Sequence, residues 1–163
     1  MLHALRSVLM PAEAVLGRFP SSLTQLALRV ALAVPFYRSG LTKWEGLQLS
    51  GSAVYLFTDE FRLHLFGAEV AYPLPHLMAF LAGVGEIALP ILLVIGLGTR
   101  FAALGLLGMT AIIQLTIPDG WANFHLPWAA MALAVMTYGA GRLSLDHLLA
   151  MPADGGLPTA RRM

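Results

Sequence analysis

The segment at residues 76–98 constrains the fold of this chain more than any other part of the sequence. Residues 77–98 read LMAFLAGVGEIALPILLVIGLG, in which Glu86 is the one charged residue. A helix with this sequence is apolar on every side and therefore has no face for water. About 20 consecutive apolar residues are enough to cross the hydrocarbon core of a bilayer. The segment is therefore predicted to be a transmembrane helix.

Three further segments have the length and the apolar character of membrane spans. The first carries Arg29 and Arg38 around Pro35, whereas the other two contain no Asp, Glu, Lys or Arg. Of the 163 residues, 58% are hydrophobic and only 12% are charged, which is too few charged side chains to cover a small soluble protein. We predict an all-α fold, an integral membrane four-helix bundle, with spans at residues 22–40, 76–98, 101–117 and 121–138.

The connections between these spans differ in length. Thr99–Arg100 joins spans two and three, and Pro118-Asp119-Gly120, a turn sequence, joins spans three and four. Short connections make antiparallel neighbours. The connection at 41–75 is long and partly apolar, so we expect it to pack on the bundle or lie at the interface. The rest of this single membrane domain is 1–19, a surface helix or a frayed terminus, and a tail at 150–163.

The placement of Lys and Arg predicts the orientation in the membrane. With the N-terminus inside, the cytoplasmic parts carry six basic residues: Arg6, Arg18, Arg100, Arg142, Arg161 and Arg162. The outer loops then carry only Lys43 and Arg62. Because cytoplasmic loops are enriched in Lys and Arg, we expect both termini in the cytoplasm and the protein in a bacterial inner membrane.

Several classes of function are disfavoured by the sequence. There is no cysteine, which removes thiol redox chemistry, disulfides and thiolate metal sites. The net charge is +1 and no basic cluster is present, so we expect no nucleic-acid partner. No nucleotide-binding, zinc-protease or hydrolase motif occurs, and no catalytic residue is predicted. His64, His76 and His125 lack the spacing of a metal site, so no metal ligand is predicted either.

Charged groups within the spans are expensive and are expected to be paired. From a rise of about 1.5 Å per residue, Glu86 and Arg29 lie near the middle of the membrane and Arg38 lies in the outer third. We expect Glu86 to pair with one of these arginines, and the sequence leaves open which. Such a pair either pins two helices together or belongs to a binding site.

Polar residues on three different spans lie at similar outer depths. Lys43 ends span one, Gln114 lies in the outer third of span three, and His125 is one turn into span four. We expect them to line one cavity open to the outside, with Glu86 at its floor and the apolar part of the loop at 41–75 as its lid. The alternative is that they are unrelated polar helix ends. Arg29 and Arg38 are further candidate cofactor-binding residues.

The order and spacing of several short segments resemble the DoxX-like family of membrane proteins. The segments are Arg29, FYRSGLTK at 36–43, EIALP at 86–90, LVIGLGTRFAALG at 93–105, QL at 114–115, HLPWA at 125–129 and GAGRLSLDHLL at 139–149. The resemblance implies a four-helix bundle in the cytoplasmic membrane. It also implies that Arg29, Lys43, Glu86 and Gln114 are the recurrent polar positions.

The same resemblance implies a redox context. The family is named from a subunit of a thiosulfate:quinone oxidoreductase, and other members associate with redox or oxidative-stress partners. Ser144-Leu145-Asp146-His147 most resembles a subgroup found beside genes for copper-binding ribosomal peptides. Related thiol-redox four-helix proteins use a cysteine pair, which this chain lacks.

Three functions are consistent with these features. The first is a redox-linked accessory subunit with an outward polar pocket for a quinone, in which Lys43 or His125 bonds a quinone carbonyl and Glu86 exchanges a proton. It would not be catalytic alone but would serve a quinone-linked oxidoreductase. The second is a copper-handling protein for peptide maturation or export, and the third is a structural anchor. Each of these functions implies a protein partner in a redox or peptide-maturation complex. Whether the chain also forms a homo-oligomer is left open by the sequence.

Overall fold

The computed structural model describes residue 10 and residues 13–151, which are mostly helical. In chain order the elements are α1 (Ser21–Leu41), β1 (Trp44–Glu45), β2 (Gln48–Leu49), α2 (Gly51–Tyr55), a π-helical turn (Leu56–Glu60), β3 (Arg62–Leu65), β4 (Ala68–Ala71), α3 (Pro75–Ile95), α4 (Thr99–Thr116), a 3-10 turn (Pro118–Gly120), a second π-helical turn (Trp121–His125), α5 (Leu126–Tyr138) and α6 (Leu145–Leu149). Residues 13–16 are also helical.

The four longest helices pack around one apolar core. Helix α1 contacts α3 and α5, and α4 contacts the same two helices from the other side. The core between them is formed by buried side chains from all four helices, among them Leu32, Phe36, Leu93, Leu106 and Val135. Large apolar side chains on their outer faces are exposed, including Val34, Phe80, Leu104 and Leu133. Apolar residues therefore occur on both the inside and the outside of this arrangement, as expected of helices in lipid.

Two helices of the described chain, α3 and α4, are each long and apolar enough to cross a membrane. Helix α1 has 21 residues but contains both Arg29 and Arg38, which make it less apolar. Helix α5 has 13 residues, because the five residues before it adopt a π-helical turn.

The connection between α3 and α4 differs from the prediction. Thr99 and Arg100 lie in the first turn of α4, and the chain reverses at residues 96–98 instead. Gly96 (φ 76°) and Gly98 (φ 57°) both have left-handed backbone conformations, which glycine adopts without steric cost. These two glycines therefore allow the chain to reverse direction at residues 96–98.

The all-α prediction is corrected for the connection between α1 and α3. Residues 41–75 contain two antiparallel hairpins, in which β1 pairs with β2 and β3 pairs with β4. Their turns contain Gly46 (φ 66°) and Gly67 (φ 84°), so each tight reversal has a glycine in the left-handed region. These strands are only two and four residues long, too short for a clear alternating pattern in the sequence.

The connection packs on the bundle, as expected from its apolar residues. The Phe57 side chain is buried. The Tyr72 hydroxyl lies 2.6 Å from the Thr116 hydroxyl, and the Nδ1 of His64 lies 3.1 Å from the Leu115 carbonyl oxygen. Both contacts hold the second hairpin against the end of α4. The predicted surface helix at 1–19 and the tail at 150–163 lie largely outside the described residues.

Candidate functional site

A buried ion pair joins α1 to α3. The Nζ of Lys43, two residues beyond the end of α1, lies 2.6 Å from Oε2 of Glu86 in the middle of α3. The same ammonium group donates to the Ser39 hydroxyl at 3.1 Å. Only 8% of Lys43 and 4% of Glu86 is exposed. Two opposite charges are therefore removed from solvent and held in direct contact.

The prediction that Glu86 pairs with Arg29 or Arg38 is wrong. The residue of α1 that lies level with Glu86 is Gly40, whose Cα packs directly on the Glu86 backbone. Arg29 lies about 16 Å further along α1 at the ordinary helical rise. Arg38 is near in height but is exposed. The offset between α1 and α3 therefore places Lys43, and neither arginine, beside Glu86.

Two glycines let neighbouring segments pack closely on α3, Gly40 at the contact with α1 and Gly83 at the contact with β1. A methyl group at Gly40 would lie 2.9 Å from both the carbonyl carbon and the Cβ of Glu86. One at Gly83 would lie 3.0 Å from the indole nitrogen of Trp44. The Trp44 ring also meets Phe80 edge to face, with ring centroids 5.8 Å apart. Small residues let helix backbones approach closely, and here they place Trp44 beside the turn of α3 before Glu86.

A second polar pair joins α4 to the start of α5. The Nδ1 of His125 lies 2.6 Å from Oε1 of Gln114. An amide oxygen only accepts, so Nδ1 carries the proton of this bond. The Gln114 amide nitrogen donates to the Pro118 carbonyl at 3.1 Å. His125 is buried, and its ring lies directly on Gly120, where no side chain would fit.

Aromatic rings extend from the His125–Gln114 pair to α1. The Trp128 ring packs against His125, with centroids 5.5 Å apart, and against Phe36, with centroids 5.0 Å apart. Phe36 is one helical turn before Gly40 on α1. Four of the six predicted site residues, Lys43, Glu86, Gln114 and His125, thus form two separate hydrogen-bonded pairs near one end of the bundle, which we call the Lys43 end. A single outward cavity shared by all four stays a prediction.

Arg29 belongs to the opposite end of the bundle. Its guanidinium is fully buried and donates to the Leu143 carbonyl, in the segment that follows α5. It lies over Gly96, where any Cβ would collide with both the guanidinium and Ser144. Two other nitrogens of the guanidinium, Nε and Nη1, are buried without a hydrogen-bond partner among the described residues.

Asp146 is a charged side chain at this end that was not predicted to be a site residue. Its two carboxylate oxygens accept the backbone N–H groups of Gly98 at 2.7 Å and Thr99 at 2.9 Å. Burial raises the pKa of this carboxyl, but the hydrogen bonds from Thr99 and Gly98 and the nearby Arg29 more than offset that effect. The net result is a pKa below the usual range. We call this the Asp146 end of the bundle.

A sequence signal for this arrangement exists. The Ser144 hydroxyl accepts from the His147 backbone N–H at 3.2 Å, which is the usual N-cap of a helix. The capped helix α6 then presents Asp146 to the start of α4. Ser144 before this short segment suggests a helix N-cap from the sequence alone. That Asp146 also caps α4 depends on its closeness in space to Gly98 and Thr99, which are far away in the sequence.

The comparison with known proteins identifies the family. The DoxX family model matches residues 24–119, more than half of the chain. The chain belongs to the DoxX family. This DoxX protein is accordingly a membrane protein. It is also 31% identical over 137 residues to an uncharacterized protein of Haemophilus influenzae, an alignment that covers 79% of this chain and 85% of the relative. No solved structure matches the chain.

The region that the family model matches contains some of the site residues but not all of them. Arg29, Lys43, Glu86 and Gln114 lie within residues 24–119, whereas His125 and Asp146 lie beyond them. The resemblance noted from the sequence is thus confirmed at the level of the family, and the subgroup stays a prediction. The buried Lys43–Glu86 pair lies wholly within the part that the family model matches.

Proposed function

We propose that this DoxX protein is a redox-linked accessory subunit that binds a lipid-soluble quinone beside the Lys43–Glu86 pair. The observation that carries the proposal is a buried ammonium group in direct contact with a buried carboxylate. Quinone reduction consumes protons as well as electrons, so a site for it needs a hydrogen-bond donor and a proton-exchanging group. This chain supplies both in one contact, and a partner subunit would supply the electrons.

Each member of the pair has a distinct role in this proposal. The Lys43 ammonium has three N–H donors, of which described contacts with Glu86 and Ser39 use two. The third is suited to donate to a carbonyl oxygen. Glu86 holds or releases a proton at Oε2, the atom that faces Lys43. Neither residue transfers electrons, which is why the chain is proposed as an accessory subunit.

An apolar groove supports a ligand that enters from the lipid. It lies between α1 and α3 and has a volume of about 320 Å³. Its lining includes Val34 and Tyr37 on one side and Pro90 and Ile91 on the other. Neither Lys43 nor Glu86 lines the groove, but Pro90 is one helical turn from Glu86 on α3, so one end of the groove lies about 6 Å along α3 from that residue. Such a groove suits the apolar tail of a quinone whose headgroup lies at Lys43.

We propose further that all four long helices cross the membrane, with both termini in the cytoplasm. The Asp146 end then faces the cytoplasm, and the Lys43 end, with both hairpins, faces outward. The support is the excess of Lys and Arg in the predicted cytoplasmic segments. Reporter fusions after Met163 and near Ser52 test this orientation, and a periplasmic signal from the C-terminal fusion would contradict it.

The binding proposal is tested with a short-tailed ubiquinone analogue and the purified full-length protein in mild detergent. We expect saturable binding to the wild type, weakened about tenfold or more by Lys43→Met and by Glu86→Gln, because each removes one charged partner. His125→Ala tests whether the second polar pair contributes. Arg62→Gln is the control, since its side chain bonds only carbonyls of its own segment among the described residues.

Two results would contradict quinone binding. One is a wild-type protein that binds no analogue, and the other is unchanged binding by both the Lys43 and Glu86 variants. Either result would favour the structural-anchor function. The copper-handling alternative draws no support from the described residues, in which no three His, Asp or Glu side chains are grouped to hold a metal.

A further inference from the structure

A second cavity opens at the Asp146 end, away from the Lys43–Glu86 pair. Its volume is about 550 Å³. It lies where α1 begins, α4 begins and α5 ends, and the loop from Gly139 to Ser144 forms one wall. The polar side chains around it include Gln25, Arg100, Arg142 and His147. This cavity is thus bounded by several segments and has a polar lining.

The charge around this cavity favours an anion. Arg100 and Arg142 both line it and are both exposed. Neither arginine forms an ion pair with a described residue. Asp146 is the one carboxylate of the lining, and both of its oxygens already accept backbone N–H groups. Arg100 donates one N–H to the Thr137 carbonyl at 3.5 Å. The other N–H donors of the two guanidinium groups are available to a ligand, whereas both oxygens of the neighbouring carboxylate are already used.

The rim of the cavity indicates where this anion comes from. Phe101 also lines the cavity and is 81% exposed. Tyr138 and Leu149, in neighbouring segments, are largely exposed as well. Tyrosine is enriched at the level of the lipid headgroups, and Tyr138 directly precedes the loop that forms one wall of the cavity. The two arginines therefore lie at the level at which lipid phosphates occur.

We propose that this cavity binds the phosphate of an anionic phospholipid, with Arg100 and Arg142 holding the headgroup and Phe101 contacting an acyl chain. The site does not use the start of α4, whose first N–H groups are already capped by Asp146. Basic pockets between membrane helices commonly recognise anionic headgroups. The proposal is independent of quinone binding, which concerns the opposite end of the bundle.

Lipid titration of the detergent-solubilised full-length protein, followed by native mass spectrometry, tests this site. The probes are dioleoyl phosphatidylglycerol, dioleoyl phosphatidylcholine and inorganic phosphate. We expect phosphatidylglycerol to bind at least about tenfold more tightly than phosphatidylcholine. A basic residue near a headgroup contributes about 1 kcal/mol, so Arg142→Gln should weaken binding about fivefold and Arg100→Gln/Arg142→Gln about 25-fold.

A charge-matched control separates a site from general attraction. Arg38→Gln/Arg62→Gln removes two positive charges at the other end and should leave phosphatidylglycerol binding within about twofold. Equal affinity for both lipids, or unchanged binding by the double variant at the cavity, would overturn the proposal. Inorganic phosphate that binds as tightly as phosphatidylglycerol would also overturn it, because the site would then serve a soluble anion. Circular dichroism of each variant checks that it is folded.

Discussion

The two ends of the bundle use their buried charges in opposite ways. At the Lys43 end the two charges pair with each other, and Gly40 lets α1 lie close enough to α3 to bury the pair. At the Asp146 end the charges bind backbone groups instead. Arg29 donates to the Leu143 carbonyl, and Asp146 accepts from the N–H groups of Gly98 and Thr99 at the start of α4. The first arrangement fastens helix to helix, whereas the second fastens a connecting segment to the helix ends.

This difference determines where each end has room for a ligand. The ion pair occupies the space between α1 and α3, so a ligand there must compete with it or lie beside it. At the Asp146 end, the loop from Gly139 to Ser144, to which Arg29 donates a hydrogen bond, instead forms one wall of the cavity lined by Arg100 and Arg142. Removing the Glu86 carboxylate should lower stability more than removing the Asp146 carboxylate, because Glu86 is the partner of a buried ammonium group.

The largest expected effect is that of Glu86→Ala. It leaves the Lys43 ammonium buried without its carboxylate, which typically lowers the free energy of unfolding by about 3–5 kcal/mol. Unfolding in mixed micelles measures the change. The double variant Lys43→Met/Glu86→Leu is the control, because replacing both charges with apolar groups should restore most of the loss. A loss below about 1 kcal/mol for Glu86→Ala would contradict the buried pair.

A smaller loss is expected for Gly40→Ala, which tests the close helix approach without touching a charge. The new methyl group would lie 2.9 Å from the Glu86 backbone. Overpacking of this kind lowers the free energy of unfolding by about 1–3 kcal/mol. Gly108→Ala is a matched control on α4, because nothing lies within 4 Å of its added Cβ. Equal stability of the two variants in the same assay would argue against the tight crossing.

The smallest expected effect is that of Asp146→Asn. Loss of the charged cap should lower the free energy of unfolding by about 0.5–2 kcal/mol at pH 7. Because the pKa of Asp146 is lower in the folded protein, its contribution is complete above the unfolded pKa of about 3.9 and is lost as the pH falls through the folded pKa.

The wild type should therefore lose more stability than the Asp146→Asn variant between pH 7 and acid conditions. Unfolding in micelles at several pH values measures the difference. Asp59→Asn, at an exposed aspartate of the outer connection, is the control and should follow the wild type. Parallel pH profiles for wild type and Asp146→Asn would show that the carboxylate does not fasten α6 to α4.

Much of the helical framework follows from hydropathy along the chain. The predicted segment at 22–40 is α1 to within one residue at each end, and the segments at 76–98 and 101–117 contain nearly all of α3 and α4. The hairpins in the long connection could not be predicted from hydropathy, because strands of two to four residues are too short to show an alternating pattern. The fourth segment begins in a π-helical turn, which no simple periodicity reveals.

The sequence by itself determined that this chain is an apolar, mostly helical protein, and its order of short segments indicated the DoxX family. It also singled out Lys43, Glu86, Gln114 and His125. Only the tertiary structure decided that Lys43 is the partner of Glu86 and that Asp146 caps α4. The physical reason is that hydropathy is read from neighbouring residues, whereas a contact depends on the offset and rotation of packed helices. At Gly40 that offset is fixed by steric contact with Glu86, a residue far away in the sequence.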